Sequence, residues 1–525
     1  MKKQKIFYWT MLLLLPASVL VAGCSKFLDR KPLTATLEDL NQGQLEGQVL
    51  GLYSNLRTLP GFSTLPWVDF HSIRDDDAQK GSDINDGAEI VAEFDNFQYS
   101  KDDWAPNTYW NDHYTMINLA NEAVYTADSL DVQDAASVRN LGEACFFRAY
   151  AYFELVKTYG DVPLFKQPIR NPNDGIRDKS PSAQVYAFID SNLQVAAQLL
   201  PVTSAAYGEG YTGRLTRGAA NTLWAQTQLF RGNWAQVVAL TSDVINSGQY
   251  SLEAEFSDIW RDRGENGKES IWEMQAYSGP GAATNSAVNY GSDWGTMQQV
   301  RRNGAPVEWN LGWGWNTPTD KLERDWPADD PRKRKTILYS GQNDGGAEFG
   351  GYGATLPAYT NPSGNGGLAQ RYWNKKVYTG NDPAIRQSTG FINNNGASPW
   401  INHRILRYAD VILMLAEAAN ELGQGDVAAA NLELIRNRAS GNRGQTRTVV
   451  PYIPFQNQAQ MRAAIKAERR WEFAMEGYRF YDLVRWGDAQ QELGPQGYTN
   501  RARFYPIPQK AIDLTGGVLT QNPEW

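Results

Sequence analysis

A unit of helix, tight glycine turn and helix occurs twice in this chain and constrains its fold more than any other feature. Ala225 is followed seven residues later by Gly232, after which Asn233-Trp234-Ala235 opens a second helical stretch to Ser247. Ala416 is followed seven residues later by Gly423, and Gly425-Asp426 leads into Ala428 to Ala439. Each unit covers roughly the 34 residues of a tetratricopeptide repeat. Small alanines let two helices approach closely, and each pair buries its open face on the next pair. The stretches 142–159 and 181–200 supply a further pair, which brings the stack to the minimum for stability. The expected fold class is therefore mainly α, a tetratricopeptide-type helical scaffold.

The remaining helical signals agree. Residues 36–57 and 108–130 are long, proline-free and mixed in polarity. Phe147, Ala151 and Leu155 recur at i, i+4 and i+8 on one face of the stretch 142–159, which Gly160-Asp161-Val162-Pro163 ends. Ser180 and Pro181 read as an N-cap and a first-turn proline for the next helix.

Residues 279–400 differ in kind. They hold 19 of the 47 glycines and 7 of the 18 tryptophans. The runs 269–276 and 371–378 read as short strands and the rest as loops. A loop-rich insert of this length inside a helical stack is expected to carry function.

The N-terminus sets the compartment. Lys2, Lys3 and Lys5 precede an apolar stretch from Ile6 to Ala22 that is short for a membrane span, and Val21-Ala22-Gly23-Cys24 closes it. Small residues before a cysteine resemble a bacterial lipobox, with Cys24 as the lipidated first mature residue; an ordinary secretory signal with a chance cysteine is the competing reading. Several acyl chains anchor a protein where one does not. The other cysteine, Cys145, lies in an apolar run and reads as core. Loss of three lysines with the leader takes the formal charge from −8 to −11. An acidic chain with no basic tract argues against nucleic acid as a partner. His71, His113 and His403 are far apart and form no zinc-binding spacing, so no metal is expected. No cofactor motif occurs. Asp83-x-Asn85-x-Gly87 is a fragment of a calcium loop without its distal glutamate, and the surrounding acid run reads as a solvated loop.

Motifs along nearly the whole chain resemble the SusD/RagB family of nutrient-uptake lipoproteins. They include Cys24-Ser25-Lys26-Phe27-Leu28-Asp29; Trp110, Tyr114, Ile117, Asn118 and Asn121; Arg148-Ala149-Tyr150 with Tyr152-Phe153; and Tyr159-Gly160-Asp161-Val162-Pro163. Later come Arg407-Tyr408-Ala409-Asp410, Glu468-Arg469-Arg470 with Glu472, Glu476-Gly477 with Arg479, Asp482-Leu483 with Arg485-Trp486-Gly487, and Tyr505-Pro506-Ile507-Pro508. Trp525 departs from the usual ending, in which a glycine and an aromatic follow the Asn-Pro. The resemblance implies a lipoprotein on the outer leaflet of the outer membrane, facing the exterior. Such a protein captures oligosaccharide, or peptide in some members, and passes it to a SusC-like TonB-dependent barrel. It implies a signal peptide over 1–23, a helical part over 24–250, a ligand-binding insert over 251–400 and a helical part over 401–525 that completes the same scaffold. Arg148, Glu417, Glu468, Arg470, Glu476, Arg479, Asp482 and Arg485 read as ion pairs and caps of helix packing.

Flat aromatic rings suit the C–H faces of sugars, with Asn, Asp and Arg reaching the hydroxyls. The insert offers Trp294, Trp309, Trp313, Trp315 and Asn316 for this. Trp67, Arg74, Asp75 and Trp104 are candidates from the N-terminal half, where the resemblance implies further ligand contacts. The competing reading for each ring is core of a loop-rich lobe. Catalysis is not expected: a glycoside hydrolase needs two carboxylates at a defined separation, and plentiful acids do not show one. A pure assembly protein, whose stack only docks a partner, is the third class.

Overall fold

The computed structural model describes residues 37–83, 85–276, 293–360, 366–381 and 401–525. The lipobox and Cys24 lie outside them. Residues 48–525 group as one unit. Ten helices of eight or more residues are described: α1 (Leu37–Thr58), α2 (Trp104–Leu130), α3 (Ala135–Tyr159), α4 (Ser182–Leu199), α5 (Arg217–Phe230), α6 (Trp234–Asn246), α7 (Tyr408–Glu421), α8 (Gly425–Ala439), α9 (Gln458–Phe473) and α10 (Arg479–Trp486).

From α2 to α8 each helix packs on the next, and α9 packs on both α7 and α8. The stack is thus continuous across the insert: α6 before it meets α7 after it. The glycine turns are as the pattern requires. Gly232 and Gly423 have φ of 70° and 76°, a left-handed conformation that favours glycine. Ala416, Ala418 and Ala419 on α7 and Ala428 and Ala429 on α8 are buried, so the small side chains stand where the helices meet. Asp134 caps α3 by accepting from Ala136 and Ser137, and Thr216 caps α5 by accepting from Ala219. Two helix starts differ from expectation. α2 begins four residues before Thr108, with Pro106 in its first turn, where its missing N–H costs nothing. Pro181 is itself the N-cap of α4, so Ser180 lies outside the helix.

Eight short strands form four antiparallel pairs among the described residues. They are β1 (Ala78–Gly81), β2 (Ser270–Met274), β3 (Arg302–Asn303), β4 (Trp315–Pro318), β5 (Ile337–Tyr339), β6 (Gly367–Leu368), β7 (Tyr372–Asn374) and β8 (His403–Arg407). β2 pairs with β8, so the strand leading into the insert and the strand leading out lie side by side. β5 pairs with β7 and β3 with β6 inside the insert, around a core of Val300, Trp309, Leu311, Leu338, Leu368 and Trp373.

Buried charge fastens the insert to the scaffold. Glu472 on α9 meets Arg332 at 3.1 Å, Arg407 at 3.2 Å and Arg438 at 2.6 Å. Arg407 also reaches Glu269 at 2.5 Å and Glu476 at 2.8 Å. Of the charged residues expected to serve helix packing, Glu417 pairs with Arg485, Asp482 with Arg469 and Arg485, and Glu468 with Arg332 and Arg436. Arg148 is different: it donates to the amide oxygens of Asn192 and Asn121 at 2.7 and 3.0 Å, and forms no ion pair with them. Removing one partner of a buried ionic group costs about 3–5 kcal/mol, because its counter-charges stay buried. Glu472→Ala is expected to lose stability on that scale in urea denaturation; a loss under about 1 kcal/mol, the surface value, would contradict it.

Candidate functional site

β1 and β4 frame the site. They pair with Ala78 opposite Pro318 and Gly81 opposite Trp315, which joins two stretches that are distant in sequence. The N-terminal strand is launched by Asp75, whose Oδ1 accepts the N–H of Asp77 and Ala78 at 2.7 and 2.9 Å. Asp76 and Asp77 then tie it to the C-terminal helices. Arg479 reaches Asp76 at 2.8 Å, Arg470 reaches Asp77 at 2.6 Å and Lys321 reaches Asp76 at 2.6 Å. Burial alone would raise the Asp76 carboxyl; the hydrogen bond and charge of Arg479 outweigh it and hold the group well below the usual range. The acid run over 75–77 is therefore a buried anchor, and the expected solvated loop is corrected: α9 and α10 bring the arginines that neutralise it.

At the other end Gly314 turns the chain. Its φ is 77°, and a Cβ there would stand 2.7 Å from the Arg301 Cβ and 3.0 Å from the Trp373 ring. Successive side chains of a strand alternate faces, so Trp313 and Trp315 would share one. Gly314 breaks that alternation. Trp315 turns inward, its ring against Gly87 and 5.2 Å from the Lys80 ammonium, while Trp313 is left 43% exposed. Polar groups gather around this turn. The Ser82 N–H donates to the Gly314 carbonyl at 2.5 Å. Arg301 donates to the Ser82 hydroxyl at 2.7 Å and pairs with Asp86. Gln370 donates to the Ser82 carbonyl at 2.7 Å.

The other candidate residues are placed as follows. Trp104 is 46% exposed at the first residue of α2. Trp309 belongs to the core of the insert. Trp294 stacks on His403 at 4.2 Å, and Trp67 stacks on His71 at 4.3 Å with His403 against its edge at 4.6 Å. Asn316 is buried and donates to the Gln298 side chain at 2.7 Å. Arg74 is fully buried, its guanidinium 3.7 Å from the Phe480 ring centre. Trp294, Trp309, Trp315, Asn316, Trp67, Arg74 and Asp75 are thus buried and not exposed platforms, each with a ring or a polar atom engaged within the protein, and Trp67 also lines a cavity with Tyr150, Phe230, His403 and Tyr481. His71 and His403, far apart in sequence, meet on Trp67; burial pushes them down to about 4 and about 3. Among the described residues no group of three or more His, Cys, Asp or Glu is placed to hold a metal ion. No sequence motif marks Arg301 or Gln370, which meet Ser82 where β1 pairs with β4.

The comparisons with known proteins bear on this arrangement. A model described as the SusD family matches residues 268–525, and one described as starch-binding, associating with the outer membrane, matches residues 70–229. The chain belongs to the SusD family. SusD-like protein P2 of Formosa agariphila is 26% identical over 545 residues, with both chains covered in full. A SusD-like protein of Bacteroides ovatus is 26% identical, over 92% of this chain and 83% of that one. Among solved structures, a laminarin-binding SusD-like protein superposes with a TM-score of 0.72 at 26% identity, over 92% of this chain and all of its own. Surface glycan-binding protein A of Bacteroides thetaiotaomicron, in complex with laminarihexaose, shares the fold with a TM-score of 0.74 at 22% identity, over 91% of this chain and 99% of its own. No helix among the described residues of this SusD-family chain is long and apolar enough to cross a membrane.

The segment Val91–Asp95, which packs on β1, holds two buried carboxyls, Glu93 and Asp95. Asp95 accepts the Lys80 N–H at 3.2 Å, and burial pushes it up to about 7. Burial, with Asp103 beside it, pushes Glu93 up to about 9. A carboxyl raised in the folded state gives stability that is complete below its unfolded value, about 4.3 for Glu, and is lost as pH climbs through the folded one. Buried Lys375 and Lys376, pushed down to about 7 and about 8, run the other way, so the difference between variants is informative. The stability of Glu93→Gln relative to the wild type is expected to rise between pH 7 and pH 9. Melting curves across that range check it; a constant difference would contradict it.

Proposed function

We propose that this chain is a cell-surface lipoprotein that captures a glycan and delivers it to a SusC-like TonB-dependent barrel, without altering the glycan. Membership of the SusD family and the exposed Trp313 ring on the β1–β4 ribbon carry the reading. Arg301, Asp86 and Gln370, gathered around Ser82 beside Gly314, are groups suited to the hydroxyls of a pyranose laid on that ring. These groups are also partnered within the protein, so the surface is set before a ligand arrives. Asp86 is engaged by Arg301 and Ser82, which suits recognition better than acid–base work. The laminarin named for one solved relative makes β-glucan oligosaccharides the first probes.

Covering half of an indole, on the order of 80 Å², is worth about 2 kcal/mol. Trp313→Ala is therefore expected to weaken oligosaccharide binding by about tenfold or more in calorimetry. Heat with a mixed-peptide pool and none with any glycan would move the chain to the peptide-capturing branch. Release of shortened glycan on incubation would refute binding without chemistry.

Attachment is read from the lipobox. Multiple acyl chains on Cys24 hold the chain to the outer membrane with its body outside. Cys24→Ala is expected to leave the chain out of the outer-membrane fraction in the native host. Unchanged fractionation would show that the protein partner, and not the lipid, holds it.

A further inference from the structure

A second cleft lies on the scaffold, built from different elements. Residues of β2 and of the segment 202–216 line it, together with Tyr250 and Asn266. Its volume is about 170 Å³. At about 30 Å³ per water that is space for five or six waters, roughly the bulk of one sugar ring.

The lining is polar. Thr203, Ser204, Thr212 and Asn266 stand at the exposed rim, with Thr216 and Trp272 further in. The Trp272 indole is buried with its edges against Phe146 at 4.9 Å and Tyr150 at 5.1 Å, and its N–H finds no partner among the described residues. The charged side chains that reach the cleft are matched inside the protein. Arg214 pairs with Glu143, and Glu273 with Arg404 at 3.3 Å. The walls thus carry balanced charge, which favours a neutral guest over an anion or a cation.

We propose that this cleft is a separate binding site for one neutral sugar residue, a monosaccharide or the end of a chain. Its volume of about 170 Å³ matches a single ring, whereas the Trp313 surface is exposed and can run along a polymer. Affinity for so small a guest falls on the order of millimolar, where capture is quickly reversible.

The test uses the full chain in detergent and saturation-transfer NMR with glucose, galactose, mannose, xylose and N-acetylglucosamine. Ser204→Tyr with Thr212→Tyr corks the cleft from exposed loop positions that the core does not use. The expected result is transfer to at least one of these sugars, weakened about tenfold or more by the cork and kept in Trp313→Ala. Melting curves confirm that the corked chain folds. Asn266→Gly, which keeps the positive φ of 51° while removing the amide, is expected to weaken the same signal. Silence with all five sugars, or a signal indifferent to the cork, would overturn the site. A signal lost in Trp313→Ala would assign the binding to the open surface and overturn it equally. Failure of oligosaccharide binding at Trp313 alone would refute the proposed function and leave this cleft standing.

Discussion

Glu472 has no solvent-exposed side-chain surface and lies among Arg332, Arg407 and Arg438. Around it the insert and the scaffold exchange charge in balance. Glu269, Glu468, Glu472, Glu476 and Asp330 face Arg332, Arg407, Arg436, Arg438 and Lys376. Such a network contributes little net stability, because each ion gives up several kcal/mol of hydration to enter it. Its effect is selective. A loop-rich insert has few regular ladders to fix its position, and any other docking strands buried charge. The same logic holds at the site, where Asp76 and Asp77 place the ribbon by needing Arg479 and Arg470.

The scaffold was legible because its signals are local. Alanine spacing and the glycines at 232 and 423 depend on neighbours one or two turns away, and the helix pairs formed around them. The strands within 269–276 and 371–378 were visible as short apolar runs, though not their partners: β2 joins β8 across more than a hundred residues. Pairing of that range leaves no trace in local composition.

The site was half legible for the same reason. The run Trp309 to Asn316 stood out by composition and the N-terminal candidates Trp67, Arg74 and Asp75 through the family resemblance, and the structure joins the two regions through Gly81 and Trp315. Which tryptophan faces outward was not readable. Trp309, Trp313 and Trp315 share a glycine-interleaved run, and residue type says nothing about which ring finds a core. Trp309 meets Leu311 and Trp373 inside the insert, and Trp315 meets Gly87. Trp313 is the one that Gly314 turns outward.

That turn shows why glycine and tryptophan alternate here. An exposed ring is useful to a binding surface only if the backbone beneath it is rigid, since a mobile platform loses in entropy what it gains in contact. Gly314 supplies a left-handed conformation and a close approach to Arg301, while Gly312 lets the chain pass the Thr296 carbonyl. The Trp313 N–H then donates to that same carbonyl at 3.0 Å, and the Gly314 carbonyl accepts from Ser82. The backbone on both sides of the exposed ring is held by hydrogen bonds from different elements. The polar neighbours are fixed in turn by Asp86 and Gln370. The acid anchor, the paired ribbon and the glycine turn therefore act in series. Each removes freedom from the next, until one exposed ring stands on a fixed backbone beside a few partnered polar groups.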